Sequence, residues 1–105
     1  MPIRLEPKGT VSLNDLESVA IDYTDTLEGE TLTGTPTVTT SLGATLASKL
    51  VNTGTYVDKN GITVAIGKAV LFTFTSTTAG DYVIEVTVDS SGGRRFVREI
   101  ELEVI

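Results

Sequence analysis

The sequence predicts an all-β domain, a Greek-key sandwich of seven or eight antiparallel strands, and three observations carry that expectation. Thr, Val and Ile make up about a third of the 105 residues, and their branched Cβ atoms suit a pleated, half-buried surface better than a helix. Short apolar runs recur between clusters of Gly, Asn, Asp and Ser at spacings of roughly eight to twelve residues, as in sandwiches and barrels. No segment sustains a helical apolar period. At 105 residues the chain is long enough for one core and too short for two independent ones, so residues 1–105 read as a single domain. A small barrel is the second architecture these elements allow.

In chain order, Ile3 and Leu5 alternate with Arg4 and Glu6 between Pro2 and Pro7, an extended pattern whose pairing the prolines limit. Residues 1–11 therefore read either as an edge strand of the domain or as an arm that docks on a neighbour. Ser12 to Leu16 reads as a loop or a single turn. Ser18 to Thr24 alternates with Val19, Ile21 and Tyr23 inward, and Thr31 to Thr40 offers one or two strands around Gly34 and Pro36 with Leu32 and Val38 inward. Gly43 to Val57 reads as a strand or a long loop. Ile62 to Ile66, entered through Asp58-Lys59-Asn60-Gly61 and closed by Gly67, reads as a strand after a tight turn.

The C-terminal part is the most regular. Ala69 to Thr75 buries Val70, Phe72 and Phe74, and Asp81 to Asp89 buries Tyr82, Ile84, Val86 and Val88. Ser90-Ser91-Gly92-Gly93 turns the chain into a return strand from Arg94 to Ile105 with Phe96, Ile100, Leu102 and Val104 inward. Arg98 shares that inward parity. It predicts either a bulge near Val97 or an open edge at Arg98.

Composition excludes most chemistry. Fourteen acids against eight bases give a net charge of −6, which repels phosphate backbones and anionic lipid, so neither nucleic acid nor membrane is expected as a partner. With no Cys and no His there is no disulfide, thiolate nucleophile, zinc site or imidazole base. No Ser has a base to activate it, and no cofactor is expected. The chain reads as a non-enzyme. The start at Met1 carries no apolar leader and no window suits a membrane span, so the chain is expected to be made and first folded in a cytoplasm.

Two charge clusters stand out. Asp15, Glu17, Asp22, Asp25, Glu28 and Glu30 run without an intervening Lys or Arg, but their spacing fits no compact calcium loop. They read as a solvated face, and no metal is expected; a glycosidase carboxylate pair is set aside because aromatic platforms are lacking. Arg94, Arg95 and Arg98 form a basic group at and after the last turn. They read either as partners for acids across the hairpin, such as Glu85 or Asp89, or as anchors of a protein interface. With Ile3, Arg4 and Leu5 they make up the candidate interface residues.

The segments Ala20-Ile21-Asp22-Tyr23-Thr24-Asp25-Thr26-Leu27 and Glu28-Gly29-Glu30-Thr31-Leu32 place an aspartate-aromatic strand before a Leu, Gly, acid, Thr and aliphatic residue. Thr78-Ala79-Gly80-Asp81-Tyr82, Val83 to Val88 and Ser90-Ser91-Gly92-Gly93-Arg94 follow in order. That arrangement resembles small immunoglobulin-like structural proteins of tailed phages, of the fiber-tail adaptor or decoration type. Thr35-Pro36-Thr37-Val38 stands where such proteins tend to carry a Trp, and the middle from Leu42 to Ile66 is longer. The resemblance implies an Ig-like sandwich that joins or decorates capsid or tail proteins in a virion assembled in the host cytoplasm. It implies many copies, as a homo-oligomer or symmetric array, and no catalytic residue. A secreted or cell-surface bacterial Ig-like adhesion module is the alternative with the same composition.

Overall fold

Alternation of apolar and polar residues gives each long strand one face to bury, and the chain satisfies those faces by stacking two sheets. The computed structural model describes residues 8–40, 43–58 and 60–105. In chain order the elements are β1 (Lys8–Val11), β2 (Glu17–Asp22), a single helical turn α1 (Thr24–Leu27), β3 (Leu32–Thr40), β4 (Thr45–Val51), β5 (Tyr56–Val57), β6 (Thr63–Val64), β7 (Ala69–Thr75), β8 (Gly80–Ser90) and β9 (Arg95–Val104). One sheet has the order β1-β9-β8-β3 and the other β2-β7-β4, while β5 and β6 form a separate two-stranded ribbon. The all-β expectation holds.

The inward residues meet between the sheets. Val19, Ile21, Val70, Phe72 and Phe74 from one side pack with Val38, Tyr82, Ile84, Val86, Ile100 and Leu102 from the other. The β7–β8 corner has its own lock, because the Tyr82 hydroxyl donates to the Thr78 carbonyl at 2.7 Å and lies 2.6 Å from Ser76 Oγ. Ser76 Oγ in turn accepts from the Thr78 N–H at 3.2 Å. At the other end of β7, the buried Asn52 donates to the Gly54 and Ala65 carbonyls and accepts from the Lys68 and Ala69 N–H groups. Every polar position of its carboxamide is used.

Four expectations change. The strands are not all antiparallel: β1 runs parallel to β9, Lys8 opposite Glu101 through Val11 opposite Val104, because the chain leaves β1 for the other sheet and makes no hairpin there. The strand expected over 62–66 shrinks to Thr63–Val64, with Ile62 and Ile66 exposed. Ser18–Thr24 stops at Asp22, where the Asp22 carboxylate accepts from the Thr24 N–H at 2.9 Å and starts the helical turn. No bulge falls near Val97, since β8 and β9 pair without a break from Gly80 opposite Val104 to Asp89 opposite Arg95. Arg98 instead lies where β1 no longer flanks β9 among the described residues.

Candidate functional site

The last turn of α1 must release its carbonyls and send the chain back toward β3. Glu28 (φ 50°) and Gly29 (φ 92°) do this through the left-handed region, which is natural for Gly and tolerated by the single Glu at the end of a turn. The result brings Glu30 onto the tip of the β8–β9 hairpin, sixty residues away. Its carboxylate accepts from Ser90 Oγ at 2.5 Å and from the Gly92 N–H at 3.0 Å, and lies 3.1 Å from Arg94 Nη2. The Ser90 hydrogen bond foremost, with those of Arg94 and Gly92, holds the Glu30 carboxyl below the usual carboxylate range against the opposing effect of burial. Thr31 and Ser91 add two further bonds, Ser91 N–H to the Thr31 carbonyl at 2.7 Å and Thr31 N–H to Ser91 Oγ at 3.2 Å.

The arginines extend this clasp along β9. Arg94 Nη2 also donates to the Thr26 and Leu27 carbonyls at 3.2 and 3.0 Å, the second of which accepts from the Glu30 N–H as well at 3.1 Å. Arg98 Nη2 donates to Thr26 Oγ1 at 2.6 Å, and its guanidinium lies 4.3 Å from the centre of the Tyr23 ring. Arg94 lies 5.1 Å from the Phe96 ring, which is 5.9 Å from that of Tyr23. Two adjoining rings, Phe96 and Tyr23, are thus flanked by two cations, each over the negative face of an aromatic ring. Burial pushes the Tyr23 phenol up to about 12, with the Arg98 charge pulling the other way.

Arg95 behaves differently. It points to the outer face and pairs with Asp89 at 2.8 and 3.3 Å, and that hydrogen bond, more than the charge, holds Asp89 below its usual range. Of the two acids expected to meet arginines across the hairpin, Asp89 does and Glu85 lies opposite Glu99. Arg94 and Arg98 find partners in the 22–30 segment instead. Ile3, Arg4 and Leu5 lie outside the described residues.

The geometry decides what the six acids of 15–30 do. Glu30 is spent on the hairpin, Asp22 on Thr24, Glu17 opens β2 half-buried opposite Phe74, and Asp15, Asp25 and Glu28 face solvent. No group of three or more acidic side chains comes together in a metal-holding arrangement among the described residues. No protein-family model matches the sequence, and no curated protein matches it. Among solved structures the chain is similar to the solution structure of Amebosin, with a TM-score of 0.50 and 14% identity over 93% of this chain and 88% of that one. At that identity the likeness concerns the fold alone.

Sequence reasoning missed the keystone role of Glu30, which it counted only as one of a run of acids. A signal existed in Gly92. A Cβ there would run into the Glu30 carboxylate, so the second of the paired glycines in the turn supplies conformational freedom and the first supplies space. The Asn52 clasp had no comparable signal, since its partners are scattered from Gly54 to Ala69.

Proposed function

We propose that the chain is an immunoglobulin-like binding module of a tailed-phage virion, joining or decorating capsid or tail proteins through protein–protein contacts. The observation that carries the proposal is that the two stretches resembling phage Ig-like proteins, 20–32 and 78–94, meet as one physical unit. Glu30 and Thr31 of the first clasp Ser90, Ser91, Gly92 and Arg94 of the second. Residues that serve one structural device are expected to recur together in order.

Two features support the Ig-like reading. The Tyr82 hydroxyl returning to the Thr78 carbonyl at the start of β8 is the geometry of a tyrosine corner. The orders β2-β7-β4 and β9-β8-β3 fit the B-E-D and G-F-C strands of such sandwiches. Ile84, two residues after the tyrosine and fully buried, then occupies the place of the second cysteine of antibody domains, so packing replaces the disulfide.

Mass spectrometry of purified virions from the phage or prophage that encodes the chain tests the reading. The chain should co-purify with the particles in many copies and resist a salt wash. Its absence from particles, together with recovery from a bacterial surface fraction, would overturn the proposal in favour of an adhesion module.

A further inference from the structure

The turn that closes the β5–β6 ribbon carries Asn60 followed by Gly61, both exposed. In an Asn-Gly pair the backbone nitrogen of the second residue reaches the side-chain carboxamide of the first with no Cβ to crowd its approach. In the reaction such a pair undergoes, the Gly61 nitrogen gives its proton to hydroxide and bonds to Cγ of Asn60, while the carboxamide nitrogen takes a proton from water and leaves as ammonia. Water then adds to either carbonyl of the cyclic imide and opens it. The products are an aspartate, or an isoaspartate whose main chain runs through the former side chain, and nothing is oxidised or reduced.

The chain has three Asn and no Gln, and the other two Asn are poor substrates. Asn52 is buried with its carboxamide fully engaged, and the β-branched Thr53 follows it. Asn14 precedes Asp15, whose Cβ crowds its own nitrogen and whose N–H donates to the Ser12 carbonyl at 3.2 Å.

Asp58 stands over the reactive pair. It is buried, and its carboxylate Oδ1 accepts from the Asn60 N–H at 2.8 Å and from the Ile62 N–H at 3.0 Å. The Asp58 carbonyl accepts from the Gly61 N–H at 3.0 Å, and the Asp58 N–H donates to the Ile62 carbonyl at 2.9 Å. The attacking nitrogen is thus one whose proton is already engaged. The anion it must become would form beside a carboxylate, and like charge disfavours it.

We propose that Asn60–Gly61 is a latent deamidation site that Asp58 keeps closed, so that the reaction runs only through opening of this turn, and that its products then hold the turn open. A loop that rests on a few hydrogen bonds of its own opens far more often than the sandwich unfolds. The isoaspartate product places an extra carbon in the main chain between the Asn60 and Gly61 nitrogens. Those are the two atoms that donate to Asp58 Oδ1 and to the Asp58 carbonyl, so the two bonds lose their common geometry. The aspartate product sets a second carboxylate beside that of Asp58, a like-charge pair.

The change is one-way, because ammonia leaves, and it makes the net charge of −6 more negative. The β5–β6 ribbon therefore has an intact, closed form and a deamidated, open one. The inference stands whether or not the chain is a virion component.

Incubation of the full chain at mildly alkaline pH, with peptide mapping by mass spectrometry and an isoaspartate assay, tests it. Asn60 should deamidate at least about tenfold more slowly in the native chain than in the same chain unfolded in guanidinium, the factor that two hydrogen bonds of ordinary net strength supply. Asp58→Ala should bring the rate to within about threefold of the unfolded one, and Asp58→Asn, which keeps an acceptor but no charge, should fall between. Should Asp58→Ala fail to fold, wild-type chain in sub-denaturing guanidinium serves instead: the rate at Asn60 should rise while the sandwich remains folded by circular dichroism. The deamidated fraction, separated by ion exchange, should show faster amide exchange at Gly61 and Ile62 with the amides of β7 and β8 unchanged. Native chain that reacts as fast as unfolded chain would overturn the proposal. So would a folded Asp58→Ala variant no faster than wild type, a rate that stays flat until the sandwich itself unfolds, or a deamidated chain that keeps its protection at Ile62.

Discussion

Replacing Phe72 by Ala removes the ring from the middle of the core. Phe72 is 2% exposed on β7, the central strand of its sheet, and faces Val19 of β2 in register. Strands on both sides and the opposing sheet keep the walls from collapsing into the void. Loss of the buried ring and the cavity it leaves should cost about 3–5 kcal/mol, a large share of the roughly 5–15 kcal/mol that holds a domain together. With an unfolding entropy of about 2.1 cal/mol/K per residue over 105 residues, one degree of Tm corresponds to about 0.22 kcal/mol. The melting temperature should therefore fall by roughly 14–23 °C. Urea titration should show a lower midpoint with an unchanged slope, the sign that stability and not compactness has changed. Leu71, the next residue, points to the other face and is only half-buried, so Leu71→Ala should cost no more than about 1.5 kcal/mol. A Phe72→Ala cost below about 1 kcal/mol, or a larger cost at Leu71, would refute the assignment of faces on β7.

Three further outcomes are expected. Tyr82→Phe keeps the ring but strips the β7–β8 corner of its hydroxyl, leaving Ser76 Oγ and the Thr78 carbonyl a bond short, and a loss of about 1–3 kcal/mol should appear in chemical denaturation. Because the folded-state pKa of Glu30 lies below its unfolded value, its contribution to stability is complete above the ordinary carboxylate range and disappears as pH falls through the depressed value. Glu30→Gln should flatten that part of an acid-denaturation curve while leaving the neutral-to-alkaline limb unchanged in shape. Thermal melts in calcium and in chelator should superimpose, and a shift of several degrees would show that the acids of 15–30 gather an ion.

The strands that were legible are those whose burial is decided along their own length. β7, β8 and β9 each alternate over six residues or more, and a one-residue slip would turn their inward apolar side chains to the opposite face. Ile62 to Ile66 alternates as well, yet only two residues pair. Asn52 takes the Ala65 carbonyl into its own hydrogen bond and Gly67 turns at φ 78°, so the chain bends away before pairing can continue. Alternation reports a face but carries no direction, and the parallel course of β1 was illegible for that reason.

Arg98 shows the same boundary at the candidate site. Its parity placed a charge on the inner face, and two local solutions were open from sequence, a bulge or an open edge. What resolves it is the lateral end of the core: this part of β9 lies beside the α1 segment, where an inward position is also a rim position. There the guanidinium keeps its charge over the Tyr23 ring and against Thr26 Oγ1, and the alkyl stem covers apolar surface as long cationic side chains do. Arg94 performs the same task two pleat repeats away, over Phe96 and the α1 carbonyls. The basic cluster that read as one feature is thus divided by strand parity. Arg94 and Arg98 close the sandwich from within, and Arg95 stays on the outer face with Asp89.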